Sequence, residues 1–165
     1  MLHLRLSISH SVAPSRVLLF RPDTAASYPG RTYRFFDGSP VYEFGTGLSY
    51  TTWSFEWSAP PSPASQTETT PATTMSVKVT NTGTMDGDQA VLVFAVPPAA
   101  GTSGRPLKYL VDFERVSVAA HDATDVSFTI PSSKLLLTDS DGKKLYTPGS
   151  WTFQVESLSA SVTLA

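Results

Sequence analysis

Four stretches of this chain alternate apolar and polar residues with a period of two. Trp53, Phe55 and Trp57 are separated by Ser54 and Glu56, and Met75, Val77 and Val79 by Ser76 and Lys78. Val126, Phe128 and Ile130 are separated by Ser127 and Thr129, and Trp151, Phe153 and Val155 by Thr152 and Gln154. Successive side chains of a strand point to opposite faces, so each run predicts a strand with one side in a core and the other in water. Ala90 to Val96 is apolar at nearly every position, which predicts a central strand covered on both faces. Between Leu107 and Val118 the period slips from Phe113 to Val116, which predicts a β-bulge or a change of sheet. No segment carries a 3.6-residue period.

Turn-formers divide these runs. Asn81-Thr82-Gly83 and Asp86-Gly87 follow the second strand, Asp141-Gly142 precedes Lys143, and Pro148-Gly149 has the order of a type II turn. About seven short strands with such punctuation predict an all-β, immunoglobulin-like sandwich. Ala59 to Thr74 (APPSPASQTETTPATT) holds no large apolar residue and is expected to be a mobile loop between the first two strands. Pro97 to Pro106 (PPAAGTSGRP) reads as a second exposed loop.

Tyr28 to Trp53 has neither periodicity. Eight of its aromatic side chains, among them Tyr33, Phe35, Tyr42, Phe44 and Tyr50, are strung on four glycines and two prolines. Such a segment bends repeatedly while its rings press against something else. Its FGTGLSYT, with the flanking RPDTAASYPGRTYRFF, resembles the segment leading into the C-terminal fibronectin type III-like domain of glycoside hydrolase family 3 enzymes, on their β-xylosidase-like branch. The resemblance runs from about Arg21 to Ala165. It implies three parts: an unmatched segment 1–20 expected to be disordered, an aromatic and glycine-rich connector 21–52, and a fibronectin type III-like domain 53–165. It further implies the tail of a β-xylosidase or β-glucosidase without its catalytic body. Such a tail would pack on and stabilise that body while the parent enzyme releases terminal β-linked xylose or glucose. The connector rings would then lie where the missing domain joins, and they predict either binding to the catalytic domains or self-association centred on Tyr28 to Tyr50. The alternative is a free-standing carbohydrate-binding or protein-interaction module.

Composition narrows the chemistry. The formal charge of −2 over 165 residues gives no electrostatic reason to expect nucleic acid or an anionic membrane as partner. With no cysteine, disulfides, thiolate nucleophiles and Cys-based zinc sites are excluded. No apolar run approaches the roughly 20 residues that span a bilayer. At the N-terminus His3, Arg5, His10 and Arg16 interrupt Leu2, Leu4, Leu6 and Val17, so the unbroken apolar centre of a signal peptide is missing. The resemblance implies a parent that is often secreted; the compartment of this chain stays open.

No catalytic, cofactor or metal site is expected. A glycosidase needs two carboxyls facing the scissile bond, about 5–5.5 Å apart in retaining enzymes. The family takes its nucleophile and acid/base from two preceding domains, and no matching motif occurs here. Asp86, Asp88, Asp139 and Asp141 sit in turn sequences, where aspartate bonds locally. His3, His10 and His121 are scattered, and Asp86-Gly87-Asp88 lacks the remaining ligands of a calcium loop. Phe44, Gly45 and Gly47 lack the third glycine and the helix of a phosphate loop, leaving backbone turning as their role. No Gly-x-Ser-x-Gly elbow is present. Trp53, Trp57 and Trp151 share the phase of Phe55 and Phe153, which assigns them to the core and not to sugar stacking. Arg31 and Arg34, beside Tyr33 and Phe35, are expected to stack or pair at a domain boundary with partners on the missing domain.

Overall fold

A computed structural model describes residues 21–22, 28–63, 71–139 and 141–164. The expected segment 1–20 lies outside them. Two antiparallel sheets form the body. One joins β1 (Trp53–Pro63), β2 (Pro71–Asn81) and β5 (Ala123–Pro131) in the order β1-β2-β5. The other joins β3 (Gly87–Val96), β4 (Tyr109–Val118), β8 (Gly149–Val155) and β9 (Leu158–Leu164) in the order β4-β3-β8-β9. Between β5 and β8 the chain makes a 3₁₀ turn (Ser132–Leu135) and a small ribbon of β6 (Leu136–Thr138) and β7 (Lys144–Tyr146). The sandwich is all-β, as the alternation predicts. Among the described residues no helix is long and apolar enough to cross a membrane.

The two-residue period sets the core. In β2, Met75, Val77 and Val79 face inward opposite Phe128 and Val126 of β5, while Ser76 and Ser127 pair their hydroxyls outside at 2.8 Å. From the other sheet come Val91, Val93 and Ala95 of β3 and Trp151, Phe153 and Val155 of β8, all without exposed surface. Trp151 donates its indole N–H to the Thr147 carbonyl at 2.9 Å, which satisfies the one polar atom it buries. Trp53, Phe55 and Trp57 also face the core but are only half-buried, because β1 is an edge strand.

Four expectations change. The Ala59–Thr74 loop is shorter, since β1 runs to Pro63 and β2 begins at Pro71 with Thr73 fully buried; residues 64–70 lie outside the described ones. An edge strand tolerates prolines whose missing N–H would face away from the ladder, and two register shifts after Trp57 absorb them. The irregularity in β4 falls at Val111, opposite Val93 and Phe94, and not between Phe113 and Val116. From Asp112 to Val118 the register is unbroken, and Phe113 breaks the hydrophobic pattern by lying 63% exposed on the outer face. The Pro97–Pro106 loop is folded on itself, with Pro97 and Pro106 buried and the Arg105 guanidinium donating to the Pro98 carbonyl at 2.6 Å. Gly149 already belongs to β8 with a φ of +130°, so Pro148-Gly149 introduces a strand in place of a type II turn.

One polar side chain is fully buried where the two sheets meet. Asn81 accepts hydrogen bonds at Oδ1 from the Thr51 hydroxyl and the Gly83 N–H, and donates from Nδ2 to Met85 O at 2.8 Å and Val118 O at 3.1 Å. Both donors and both lone pairs of the amide are used. We expect Asn81→Asp to destabilise the protein by roughly 2–3 kcal/mol although it is isosteric, because it turns acceptors toward two carbonyl oxygens. Urea unfolding checks this, and a variant as stable as the parent would refute it. In the same measurement Phe153→Ala should cost about 3–5 kcal/mol, whereas Thr129→Ala, on the outer face of β5, should cost almost nothing. Similar losses at the two positions would mean that the strand phase is wrong.

Candidate functional site

The face with the most unusual chemistry lies where the connector crosses the outer surface of the four-stranded sheet. Pro29 to Asp37 closes into a compact loop around the one-turn helix α1 (Thr32–Phe35), with Asp37 N–H bonded to Pro29 O at 3.1 Å. Gly30 is buried there with a φ of +84°, a conformation that L side chains rarely adopt. The turn aims Tyr33 at the sheet. Its ring stacks on Phe44 at 4.3 Å between centroids, and both rings meet Phe94 of β3 edge-on, at 5.7 and 6.1 Å. Phe94 points away from the sandwich interior, yet it is buried because these two rings cover it. Gly45 takes a φ of +94° beside Leu92, where a Cβ would come within 2.7 Å of the leucine methyl.

Polar contacts lock the rings in place. The Tyr33 hydroxyl accepts from Leu110 N–H at 3.2 Å, and the Arg34 carbonyl accepts from Leu107 N–H at 2.7 Å. Lys108 lies over the Phe94 ring at 5.0 Å and reaches Glu43 at 3.8 Å. The Arg34 guanidinium sits 5.6 Å from the centre of the Tyr109 ring, and that ring packs edge-on against Trp151 at 6.3 Å. Tyr109 therefore transmits contact from the connector to the centre of the core. Burial pushes its phenol above the ordinary tyrosine range, with Arg34 opposing in part, and its hydroxyl donates to Lys134 O at 2.9 Å.

A cavity of about 710 Å³ opens between connector and sheet, lined by Tyr33, Phe36, Tyr42 and Phe44 with Lys108 and Gln154. Beyond it the connector turns outward. Val41 is 91% exposed, Tyr42 80% and Tyr50 95%, and Leu48 is fully exposed. The connector returns to the sandwich at Ser49–Thr52. Ser49 Oγ accepts from Thr51 N–H at 3.2 Å and from the Trp53 indole at 3.3 Å, and Thr52 bonds Thr82 through both backbone and hydroxyl. The expected adhesive surface from Tyr28 to Tyr50 is thus divided. Tyr33, Phe35 and Phe36 turn inward onto this chain, Phe44 is shared, and Val41, Tyr42, Leu48 and Tyr50 remain free.

The other residues singled out in the sequence scatter. Asp86 accepts from Ala120 N–H at 2.8 Å, and Asp139 caps its own turn through Asp141 and Lys143 N–H. Asp88 is not a turn residue. It lies in β3 and pairs across the sheet with Arg115 at 2.5 Å and with Ser117, whose hydroxyl together with the guanidinium holds the carboxyl below its usual range. His121 occupies a turn at a φ of +62°, while His3 and His10 lie outside the described residues. Among the described residues no three His, Asp or Glu side chains converge as metal ligands would. Arg31 and Arg34 find partners within this chain, on Tyr28, Phe35 and Tyr109. Sequence reasoning missed Phe94 and Tyr109 as the receiving side. The signal was the run Ala90 to Val96, whose apolar outer positions require a cover.

Comparison with known proteins gives this face a context. The family model of the fibronectin type III-like domain matches residues 89–159. A β-xylosidase of Formosa agariphila is 38% identical over 137 residues, covering 83% of this chain and 18% of the relative. Beta-D-xylosidase 1 of Arabidopsis thaliana is 34% identical over 161 residues, covering 79% and 20%. Among solved structures, a GH3 exo-β-xylosidase in complex with a xylobiose aziridine probe superposes with a TM-score of 0.76 at 26% identity, over 90% of this chain and 22% of that one. A β-glucosidase from Streptomyces venezuelae gives 0.64 at 27%, over 77% and 16%. The chain thus spans about a fifth of the length of the curated relatives it matches.

The clamp generates a prediction. Phe94→Ala removes the surface on which Tyr33 and Phe44 stack and should release the connector. Chymotrypsin should then cut after Tyr42 or Phe44 several-fold faster than in the parent. Phe113→Ala, which removes an exposed ring from the same outer face, should leave the cleavage rate unchanged. Equal rates in all three proteins would show that the clamp does not hold the connector.

Proposed function

We propose that this chain, whose residues 89–159 are a fibronectin type III-like domain, serves as the non-catalytic C-terminal accessory part of a glycoside hydrolase family 3 enzyme. The parent enzyme would release terminal β-linked xylose or glucose from oligosaccharides. The accessory part would pack on the catalytic body and stabilise it. The curated relatives are β-xylosidases matched over a fifth of their length or less, which supports a role as one component of a larger hydrolase.

The observation that carries the reading is the division of the connector. Its inner side is anchored on this chain's own sheet, while Val41, Tyr42, Leu48 and Tyr50 stand in water. Removing a large apolar side chain from water is worth roughly 1.5–3 kcal/mol, so this row is a strong drive toward a partner. A catalytic body covering the row fits both the drive and the relatives. We assign residues 53–165 to the folded accessory domain and 21–52 to the connector that presents its docking side. The competing reading, a sugar-binding module, calls for exposed Trp or Tyr rings on the sandwich itself, whereas the exposed Tyr42 and Tyr50 lie on the connector. Trp151 is fully buried, and Trp53 and Trp57 turn toward the core.

Two measurements test the proposal. The purified chain should release no nitrophenol from aryl β-xyloside or β-glucoside above a buffer blank; turnover that tracks the protein peak through repurification would overturn the non-catalytic role. The chain should also bind the catalytic domains of a family 3 β-xylosidase expressed without their own accessory domain. Tyr42→Ser combined with Tyr50→Ser should weaken that binding by at least about tenfold, from the apolar area removed. Undiminished binding by the double variant would move the docking surface elsewhere.

A further inference from the structure

A sandwich of two open sheets has four edge strands, and an edge presents unpaired N–H and C=O groups to which another strand can add. Three of the four are guarded. β1 carries Glu56 and three prolines, Pro60, Pro61 and Pro63, and its pairing with β2 is interrupted twice. β4 carries Asp112, Glu114 and Arg115 and the irregularity at Val111. β5 carries Asp125, bonded to Ser58, and ends at Pro131. β9 has none of these devices. Its sequence, LSASVTL, holds no charge, no proline and no glycine, and it pairs with β8 in unbroken register from Leu158 to Leu164. Among the described residues no strand hydrogen-bonds to its other side.

From this contrast we infer that β9 is an association edge, and that its partner is β9 of a second copy of the chain, added antiparallel about a two-fold axis through Ser161. That register opposes Leu158 to Leu164, Ser159 to Thr163 and Ala160 to Val162 of the second copy. All even positions stay on the core side and all odd ones on the outer face. Val162 and Leu164, buried in each sandwich, would continue one apolar layer across the junction, and the Ser/Thr row would continue the hydroxyl ladder that Thr152 and Ser161 begin at 2.8 Å. The two four-stranded sheets become one. β1 runs beside β9 on the opposing sheet with Trp53, Phe55 and Trp57 half-buried, so the same junction covers part of those rings. The inference rests on the sheet edge alone and is independent of the accessory-domain reading.

Ser161 would face its own counterpart across the axis, which makes the register testable. In sedimentation equilibrium from micromolar to hundreds of micromolar, the intact chain should form dimers. Ser161→Lys and Ser161→Glu should each weaken association by about tenfold or more, because like charges then lie directly opposite. An equimolar mixture of these two variants should recover it, with melting temperatures unchanged at concentrations where every protein is monomeric. Tyr42→Ser with Tyr50→Ser should leave the dimer intact. A monomer at all concentrations, a dimer indifferent to either Ser161 substitution, failure of the mixture to recover, or a dimer lost only in the connector variant would each overturn the proposal.

Discussion

The only asparagine in the chain, Asn81, ties the two sheets, the β2–β3 turn and the connector together through one buried amide. A sandwich's two sheets attract each other through apolar contact, which has no direction and does not fix how they align. Asn81 supplies direction. It belongs to β2 of one sheet, donates to Val118 at the end of β4 in the other, and closes the β2–β3 turn through Gly83 and Met85. It also accepts from Thr51, the last connector residue before β1 but one. Four chain segments therefore converge on one amide with no spare hydrogen-bonding capacity. A buried polar group is costly only when left unpaired, so full satisfaction turns this group from a liability into a positioning device.

From that corner the connector inherits one fixed end. Thr51 and Thr52 are tied to Asn81 and Thr82, while Tyr33 and Arg34 are tied to Leu110 and Leu107. The aromatic clamp on Phe94 holds a point between them. β3 is thus buried on both faces for two different reasons: Val91, Val93 and Ala95 meet the opposing sheet, whereas Phe94 meets the connector. Tyr109, between Arg34 and Trp151, makes the connector and the core one packed unit.

The parts of this arrangement legible in the sequence are those that repeat. Met75, Val77 and Val79, or Trp151, Phe153 and Val155, announce themselves because a strand imposes its period on every inward position. Residues whose role depends on a distant partner do not. Asn81 reads as a turn former, and nothing local says that its amide reaches Val118. Asp88 looks like a turn aspartate until β3 is aligned with β4 and Arg115 comes opposite. The period slips at Phe113 in the sequence, and its ring lies outside, since the extra residue at Val111 shifts the phase of β4. Ala59 to Pro63 looks unfit for a strand, yet an edge needs only one side of its backbone satisfied. The connector was recognisable as an aromatic packing segment. Which of its rings turn inward depends on a backbone path with positive φ at Gly30, Thr32 and Gly45, which composition does not encode.

For the proposed docking of the exposed connector row, the same two anchors lower the cost of binding. A segment that must be ordered at the moment of binding loses conformational entropy then, at about 1–2 kcal/mol for each backbone residue fixed. Between Phe36 and Ser49 the chain is held at both ends and, through Phe44, near its middle, so much of that ordering is complete before any partner arrives. Val41 and Tyr42 lie on one side of the Phe44 anchor, Leu48 and Tyr50 on the other. The rings that fold back on the sandwich and the rings that face water are therefore parts of one device. The first set immobilises the backbone, and the second offers its apolar surface from an already ordered position.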